Sequence, residues 1–178
     1  IEGISKSPAI FDIEKLKYFN SEYIRSLTPE AFHELSLPYI RQAVKCPLDT
    51  RAIASLLQPR CEVLTDIPEK VDFFDSLPDY DVSLFVHKKS KCNESVAKDM
   101  LSSALPVLNF IDNWSQQNIH DSLISLAERL AVKPATLMWP IRIAATGKAV
   151  TPGGAVEICC ILGKDETLRR LNIGLNKL

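Results

Sequence analysis

With 178 residues, 46% apolar and 24% charged side chains, the chain can bury a real core and falls at one or two domains of ordinary globular composition. A formal net charge of −1 excludes a basic domain that grips nucleic acid by bulk electrostatics. No apolar run approaches the roughly 18 residues of a membrane span, and no charged-then-apolar leader opens the sequence, so a cytoplasmic protein away from membranes is expected.

In chain order nearly every segment reads as helix. Asp12 is an N-cap signal, followed by Ile13, Leu16, Phe19, Tyr23, Ile24 and Leu27 at steps of three and four. Thr28-Pro29-Glu30 repeats the start signal with proline at the first helical position. Asp49 caps another helix, with Ala52, Ile53, Leu56 and Leu57 on one side; Pro59 ends it, and a further helix is expected from Arg60. Pro68 opens one more through Val71, Phe73 and Phe74. Leu77-Pro78-Asp79-Tyr80-Asp81 interrupts the periodicity and is the expected boundary between 1–81 and 82–178. Val82 to Val86 has strand character but is too short to support a sheet. Asn93 caps a long helix that buries Val96, Met100, Leu101, Leu105 and Leu108. Helices near 120–131, 134–147, 154–162 and 165–173 follow, punctuated by Gly163 and Asp165. The expected fold is all-α, two packed helical subdomains without internal repeats.

Catalytic and metal chemistry need constellations that the spacing does not provide. Cys46, Cys61, Cys92, Cys159 and Cys160 are odd in number and irregularly spaced, which fits reduced thiols; with His33, His87 and His120 they make no metal-ligand pattern. No GxSxG, HExxH or glycine-rich phosphate loop occurs. Charge is uneven, however. Seven acids and one base lie between Glu62 and Asp81, His87 to Lys91 is basic, and Lys133 to Arg170 has six bases against three acids. A localised basic face is compatible with that asymmetry, as is simple solvated surface.

The most informative stretch is Trp139-Pro140-Ile141-Arg142, then Thr146-Gly147-Lys148 and Thr151-Pro152-Gly153-Gly154. Pro140 lacks an N–H and clashes one turn back, so a kink or break is expected, with Arg142 turned outward beside it. The Pro-Gly-Gly turn exposes backbone amides close to a helix start. An arginine fork beside bare amides suits the edges and phosphates of unpaired nucleotides. The alternative is a kinked core helix with a plain surface turn.

With this block the chain resembles the C-terminal, anticodon-binding region of bacterial glutamyl-tRNA synthetases (glutamate–tRNA ligases, class I), over practically its whole length. Ser5 to Asp12 and Asn20-Ser21-Glu22-Tyr23-Ile24 resemble the segment after the family's catalytic core. Gln58-Pro59-Arg60 through Ile67-Pro68-Glu69-Lys70 resembles its first anticodon-binding helices, and Ile161-Leu162-Gly163-Lys164 with Leu168-Arg169-Arg170-Leu171 its closing ones. Ile4-Ser5-Lys6-Ser7 matches only the end of the KMSKS adenylation loop, without a HIGH partner, and reads as a decoy; the true loop would lie upstream.

The resemblance implies an α-helical cage that receives the anticodon stem-loop of tRNA(Glu). The leading linker helix and first subdomain would span 1–81 and the second 82–178. In family members that accept only glutamate tRNA, the arginine matching Arg60 monitors the third anticodon base, cytosine for glutamate and guanine for glutamine; a guanidinium, all donors, suits cytosine's acceptors and cannot pair guanine's donor edge. Positions matching Arg142, Thr151 and Pro152 contact the other bases. Many relatives carry one glycine then a bulky apolar residue after the proline, whereas Gly153-Gly154-Ala155 is one residue longer. Backbone contact from Gly153 and Gly154 is the expected replacement, with Lys148 and Lys164 as phosphate contacts. Glutamylation with ATP and Mg²⁺ would belong to a core outside this chain, leaving no catalytic residue and no cofactor within it. A monomer without DNA partners is expected, because no compact recognition helix rich in Arg, Asn and Gln is seen. The reading of a different class is an all-α protein–protein interaction module.

Overall fold

The computed structural model describes residues 12–178, so the Ile4–Ser7 decoy and most of the Ser5–Asp12 match lie outside the described residues. Where a polar side chain precedes an apolar run, a helix begins. Asp12 Oδ1 accepts from Lys15 N at 3.1 Å and starts α1 (Ile13–Ser26); Thr28 Oγ1 accepts from Ala31 N at 3.2 Å and starts α2 (Pro29–Ala43). Asp49 caps two amides of α3 (Thr50–Leu57).

No helix begins at Arg60. The chain tightens into a 3-10 turn, Gln58–Arg60, which continues α3 and makes Arg60 its last residue. Pro59 fits that turn because its ring sets φ and it needs no amide partner. Gln58 Nε2 anchors it by donating to the carbonyls of Ile24 and Leu27 at the end of α1. A second 3-10 turn (Leu64–Asp66), the short α4 (Ile67–Val71) and a third turn (Asp72–Phe74) complete this group around Phe32, Ile40, Ile53, Leu57, Phe73 and Phe74.

Residues 77–81 carry no helix. The strand character of Val82 to Val86 gives way to a 3-10 turn, Val82–Phe85, capped by Asp81 accepting from Ser83 N at 2.8 Å. An extended segment with no neighbouring strand leaves its backbone groups unpaired, and the turn satisfies them locally. Asn93 caps α5 (Glu94–Asn109). Ser115 caps α6 (Gln116–Arg129), four residues ahead of the expected start. Next come α7 (Pro134–Thr146), α8 (Ala155–Leu162) and α9 (Lys164–Lys177), the last outrunning its expected end.

Nine α-helices and no strand are found among the described residues, an all-α fold. Helices α2, α3 and α4 pack together, as do α5, α6, α7, α8 and α9, with α3 meeting α8 across the two groups. Helix α7 does not break at Pro140. The ring is buried with Leu137, Ile141, Ala144 and Ala145, and this packing holds the helix through one missing hydrogen bond.

Arg170 is the largest fully buried side chain and the strongest tie between the groups. It is 1% exposed, donates from Nη1 to the Phe73 and Ala145 carbonyls at 2.7 and 2.8 Å, and pairs through Nε with Glu166. Arg169 and then Arg170 hold the Glu166 carboxyl down at about 2, against an ordinary 4.5.

Two outcomes follow from this tie. Arg170→Ala strands two buried carbonyls, and urea unfolding should show a loss of about 3 kcal/mol. A carboxyl depressed in the folded state contributes stability that is complete above its unfolded value and lost as pH falls through the folded one. The urea midpoint should therefore decline from pH 4.5 toward about 2, with a shallower decline in Glu166→Gln.

Candidate nucleic-acid interface

The loop between α7 and α8 is seated before it is displayed. Gly147 ends α7 in the left-handed region at φ 64°, donating its N–H to Ile143 O at 2.7 Å. A Cβ there would meet Tyr80 Cδ1 at 2.9 Å and the Pro78 carbonyl at 3.3 Å, so the loop leaves α7 pressed on the 77–81 segment. Lys148 Nζ lies 2.5 Å from Asp72 Oδ1 and donates to the Glu69 carbonyl at 2.6 Å. Its ammonium is thus engaged by the acidic segment and not held out for a phosphate. Lys164 is likewise engaged, donating to the Ile111 carbonyl at 2.9 Å.

Arg142 is half-buried where an outward display was expected. Nη1 donates to Thr151 Oγ1 at 2.7 Å and Nη2 to the Ala149 carbonyl at 3.0 Å, while the guanidinium carbon lies 4.6 Å from the Trp139 ring centroid. Burial pulls its pKa below the usual arginine value, yet a guanidinium in this range stays charged. No ion pair engages it among the described residues. Thr151 spends its own proton on the Gly153 carbonyl at 2.8 Å, which fixes its oxygen as the acceptor for Arg142.

Arg60 reaches the same turn from the other group of helices. It is exposed, and Nη1 donates to the Pro152 carbonyl, 92 residues along the chain. It bonds neither Glu62 nor Asp66, its nearest acids in sequence. A shallow depression is lined by Leu57, Arg60, Lys70, Val150, Thr151 and Pro152, with Val150 86% exposed at its rim.

The two glycines of the turn differ. Gly153 is buried, and a Cβ would come within 2.9 Å of Leu56 Cδ1, so its smallness lets the turn lie against α3. Gly154 is exposed and starts α8 without a side-chain cap. Of the two only Gly154 is exposed, and the Glu157 carboxylate lies over it, Oε2 being 2.8 Å from the place a Cβ would take, so the bare pair of glycines that was expected is not found. The structure brings Arg60, Arg142, Thr151, Pro152, Gly153 and Gly154 together and leaves Lys148 and Lys164 engaged elsewhere. Spacing alone did not single out His87, whose ring stacks on Trp139 at 3.8 Å and 7°; 52 residues separate the two, and no local pattern marks the pair.

Comparison with known proteins supplies a context for this geometry. The family model described as "Anticodon binding domain" matches residues 14–175. The chain is 51% identical over 177 residues to the glutamate–tRNA ligase of Clostridium tetani, covering 99% of this chain and 36% of that protein. It is 47% identical over 176 residues to the Clostridium botulinum (strain Loch Maree) glutamate–tRNA ligase, with the same coverage. The chain thus spans little more than a third of the length of these curated relatives. A crystal structure of a glutamate tRNA ligase from Elizabethkingia meningosepticum in complex with its amino acid shares the fold, with a TM-score of 0.79 at 22% identity over 98% of this chain and 34% of that one.

The loop's seat can be tested without a ligand. Gly147→Ala adds left-handed strain of about 1–2 kcal/mol to a collision with Tyr80 and Pro78. Gly163, at φ 80° and ψ 167°, lies in a region essentially reserved for glycine but has nothing within 4 Å of the place a methyl group would take, so Gly163→Ala meets a different backbone strain and no collision. Thermal denaturation should place Gly147→Ala clearly below wild type, by strain and collision together.

Proposed function

Because this chain belongs to the anticodon binding domain family, we propose that the surface shared by Arg60, Arg142 and the Thr151–Gly154 turn receives the unpaired bases of a tRNA anticodon. The observation that carries this is the convergence of two guanidiniums, from opposite groups of helices, on one turn. Residues 1–81 bring Arg60 and residues 82–178 bring Arg142, so the two subdomains grip the anticodon between them.

The two arginines divide the work. Arg142 is oriented by Thr151 and Ala149 before any ligand arrives, so little order remains to be imposed when a base or phosphate meets it. Arg60 is exposed and commits a single N–H to Pro152, leaving the rest of its fork for a base edge. On the Watson–Crick edge cytosine offers a carbonyl and a ring nitrogen as acceptors there, whereas guanine, unless it turns its O6/N7 edge to the arginine, presents N1–H and N2–H donors to a donor fork. A desolvated mismatch of that kind costs about 1–3 kcal/mol. Val150 gives a base an apolar surface beside the turn, in place of the bulky residue that the second glycine displaces.

The partner in this proposal is the anticodon stem-loop of tRNA(Glu), read by a monomer in the cytoplasm. The longer polypeptide is a glutamate–tRNA ligase, in line with relatives nearly three times this length. Its ATP, Mg²⁺ and glutamate chemistry falls to the remaining two thirds, and this chain contributes recognition without catalysis or cofactor.

The test is binding of tRNA(Glu) transcripts that differ only at the third anticodon base, by wild type and Arg60→Gln. Wild type should prefer cytosine over guanine. Glutamine carries both a donor and an acceptor, so the variant should lose about tenfold of that preference, or ~1.4 kcal/mol, while its affinity for the cytosine form falls less. An unchanged preference removes Arg60 from the mechanism. Wild-type binding indifferent to the anticodon sinks the proposal and favours a protein–protein module.

A further inference from the structure

The basic segment His87-Lys88-Lys89-Ser90-Lys91 plays no part in the site described above, yet it is built as a stiff loop. His87 and Cys92 exchange two backbone hydrogen bonds, N–H to O at 2.8 and 3.1 Å. Lys91 closes the reversal in the left-handed region at φ 50°, donating its N–H to the Lys88 carbonyl at 3.1 Å. Ser90 is buried, and its Oγ lies 2.8 Å from His87 Nδ1. Lys88, Lys89 and Lys91 are exposed, and none of their ammonium groups has a hydrogen-bond or ion-pair partner among the described residues.

The root of this loop is fixed to the proposed anticodon surface. The His87 imidazole lies parallel on the Trp139 indole at 3.8 Å, and the Arg142 guanidinium carbon lies 4.6 Å from the same ring. The indole is itself anchored, donating from Nε1 to the Leu84 carbonyl at 3.1 Å in the turn that leads into the loop. Three unpaired cations on a rigid reversal therefore begin one ring away from Arg142.

We propose that Lys88, Lys89 and Lys91 form a phosphate-backbone contact for the RNA strand whose bases meet Arg142 and the Thr151–Gly154 turn, an inference that rests on the anticodon reading above. Net charge is −1, so any attraction for a polyanion must come from a local concentration of free cations. Lys148 and Lys164 are engaged by Asp72, Glu69 and Ile111, and the phosphate role falls to this loop instead. Ammonium groups without acid partners neutralise phosphates and release counterions, which adds affinity and salt dependence but carries no base information. The loop sets the register of the strand, and the arginines read it.

The experiment compares wild type with the triple variant Lys88→Gln/Lys89→Gln/Lys91→Gln. Affinity for transcripts with cytosine or guanine at the third anticodon base is measured across a salt series. A control triple, Lys15→Gln/Lys98→Gln/Lys133→Gln, removes the same charge from exposed positions elsewhere. Circular dichroism and urea unfolding verify that all variants fold. Three contacts at about 0.7 each predict that the slope of log affinity against log salt becomes shallower by about 2 in the loop variant. Both transcripts should weaken by the same factor, at least tenfold at low salt, so the ratio between them stays as in wild type. An unchanged slope overturns the proposal while leaving the anticodon reading intact, and so does an equal change in the control triple or a shift in the cytosine-to-guanine ratio. Failure of wild type to bind either transcript overturns both.

Discussion

A guanidinium removed from water must find acceptors, and Arg170 finds them for Nε and Nη1 on three different parts of the chain. One carbonyl is Phe73, at the end of the first group of helices; another is Ala145, in the last turn of α7; the carboxylate is Glu166, one turn back on α9. The end of α7 is where the 147–154 loop departs, so this side chain, together with Lys148 on Asp72 and Gly153 against Leu56, sets where that loop lies relative to α3 and α4. Arg60 meets Pro152 only because both ends of that path are held. A cation in the core is therefore one condition for two other cations to converge at the surface.

The acidic run from Glu62 to Asp81 has a corresponding structural use. Asp72 takes the Lys148 ammonium, Asp79 takes Lys177 at 2.7 Å, and Asp75 accepts the amides of Lys45 and Cys46 at 2.6 and 3.0 Å. Those amides, Cys46 first, hold the Asp75 carboxyl below the usual carboxylate range, and Lys177 does the same for Asp79. Bases that share a stretch of sequence thus divide into two populations. Those facing the acidic run close the two groups of helices together, while Lys88, Lys89 and Lys91, on the loop rooted at Trp139, stay free. A chain of net charge −1 can still carry a local basic segment because charge is distributed unevenly along it.

Caps were the most legible feature of the sequence, because a side-chain oxygen one position ahead of an apolar run has only the local amides to satisfy. Asp12, Thr28, Asp49 and Asn93 all start helices where their positions implied. Helix continuity was less legible, since it depends on packing. Pro140 survives inside α7, as Pro38 and Pro106 do inside α2 and α5, while Pro59 merely tightens α3 into a 3-10 turn. Strand character at Val82–Val86 lacked the partner that a strand requires. At the site, the residue types on the turn could be read from sequence, but not the commitments of the long side chains. Lys148 and Arg142 lie six residues apart, and one is engaged by an acid 76 positions back while the other is held by its own loop.

That loop joins rigidity to recognition. Arg142 donates to Thr151, Thr151 donates to Gly153, and Gly153 lies against Leu56 because it has no Cβ. A free arginine loses rotamer freedom when it engages a ligand; here the freedom is already lost to the fold, and the hydroxyl that restrains the guanidinium also fixes the curvature of the turn. The Pro152 carbonyl, placed by that curvature, is the acceptor that steers Arg60. Orientation therefore passes from the buried α3 face through a glycine, a hydroxyl and a carbonyl to both cations, and their placement depends on the turn staying seated on Leu56.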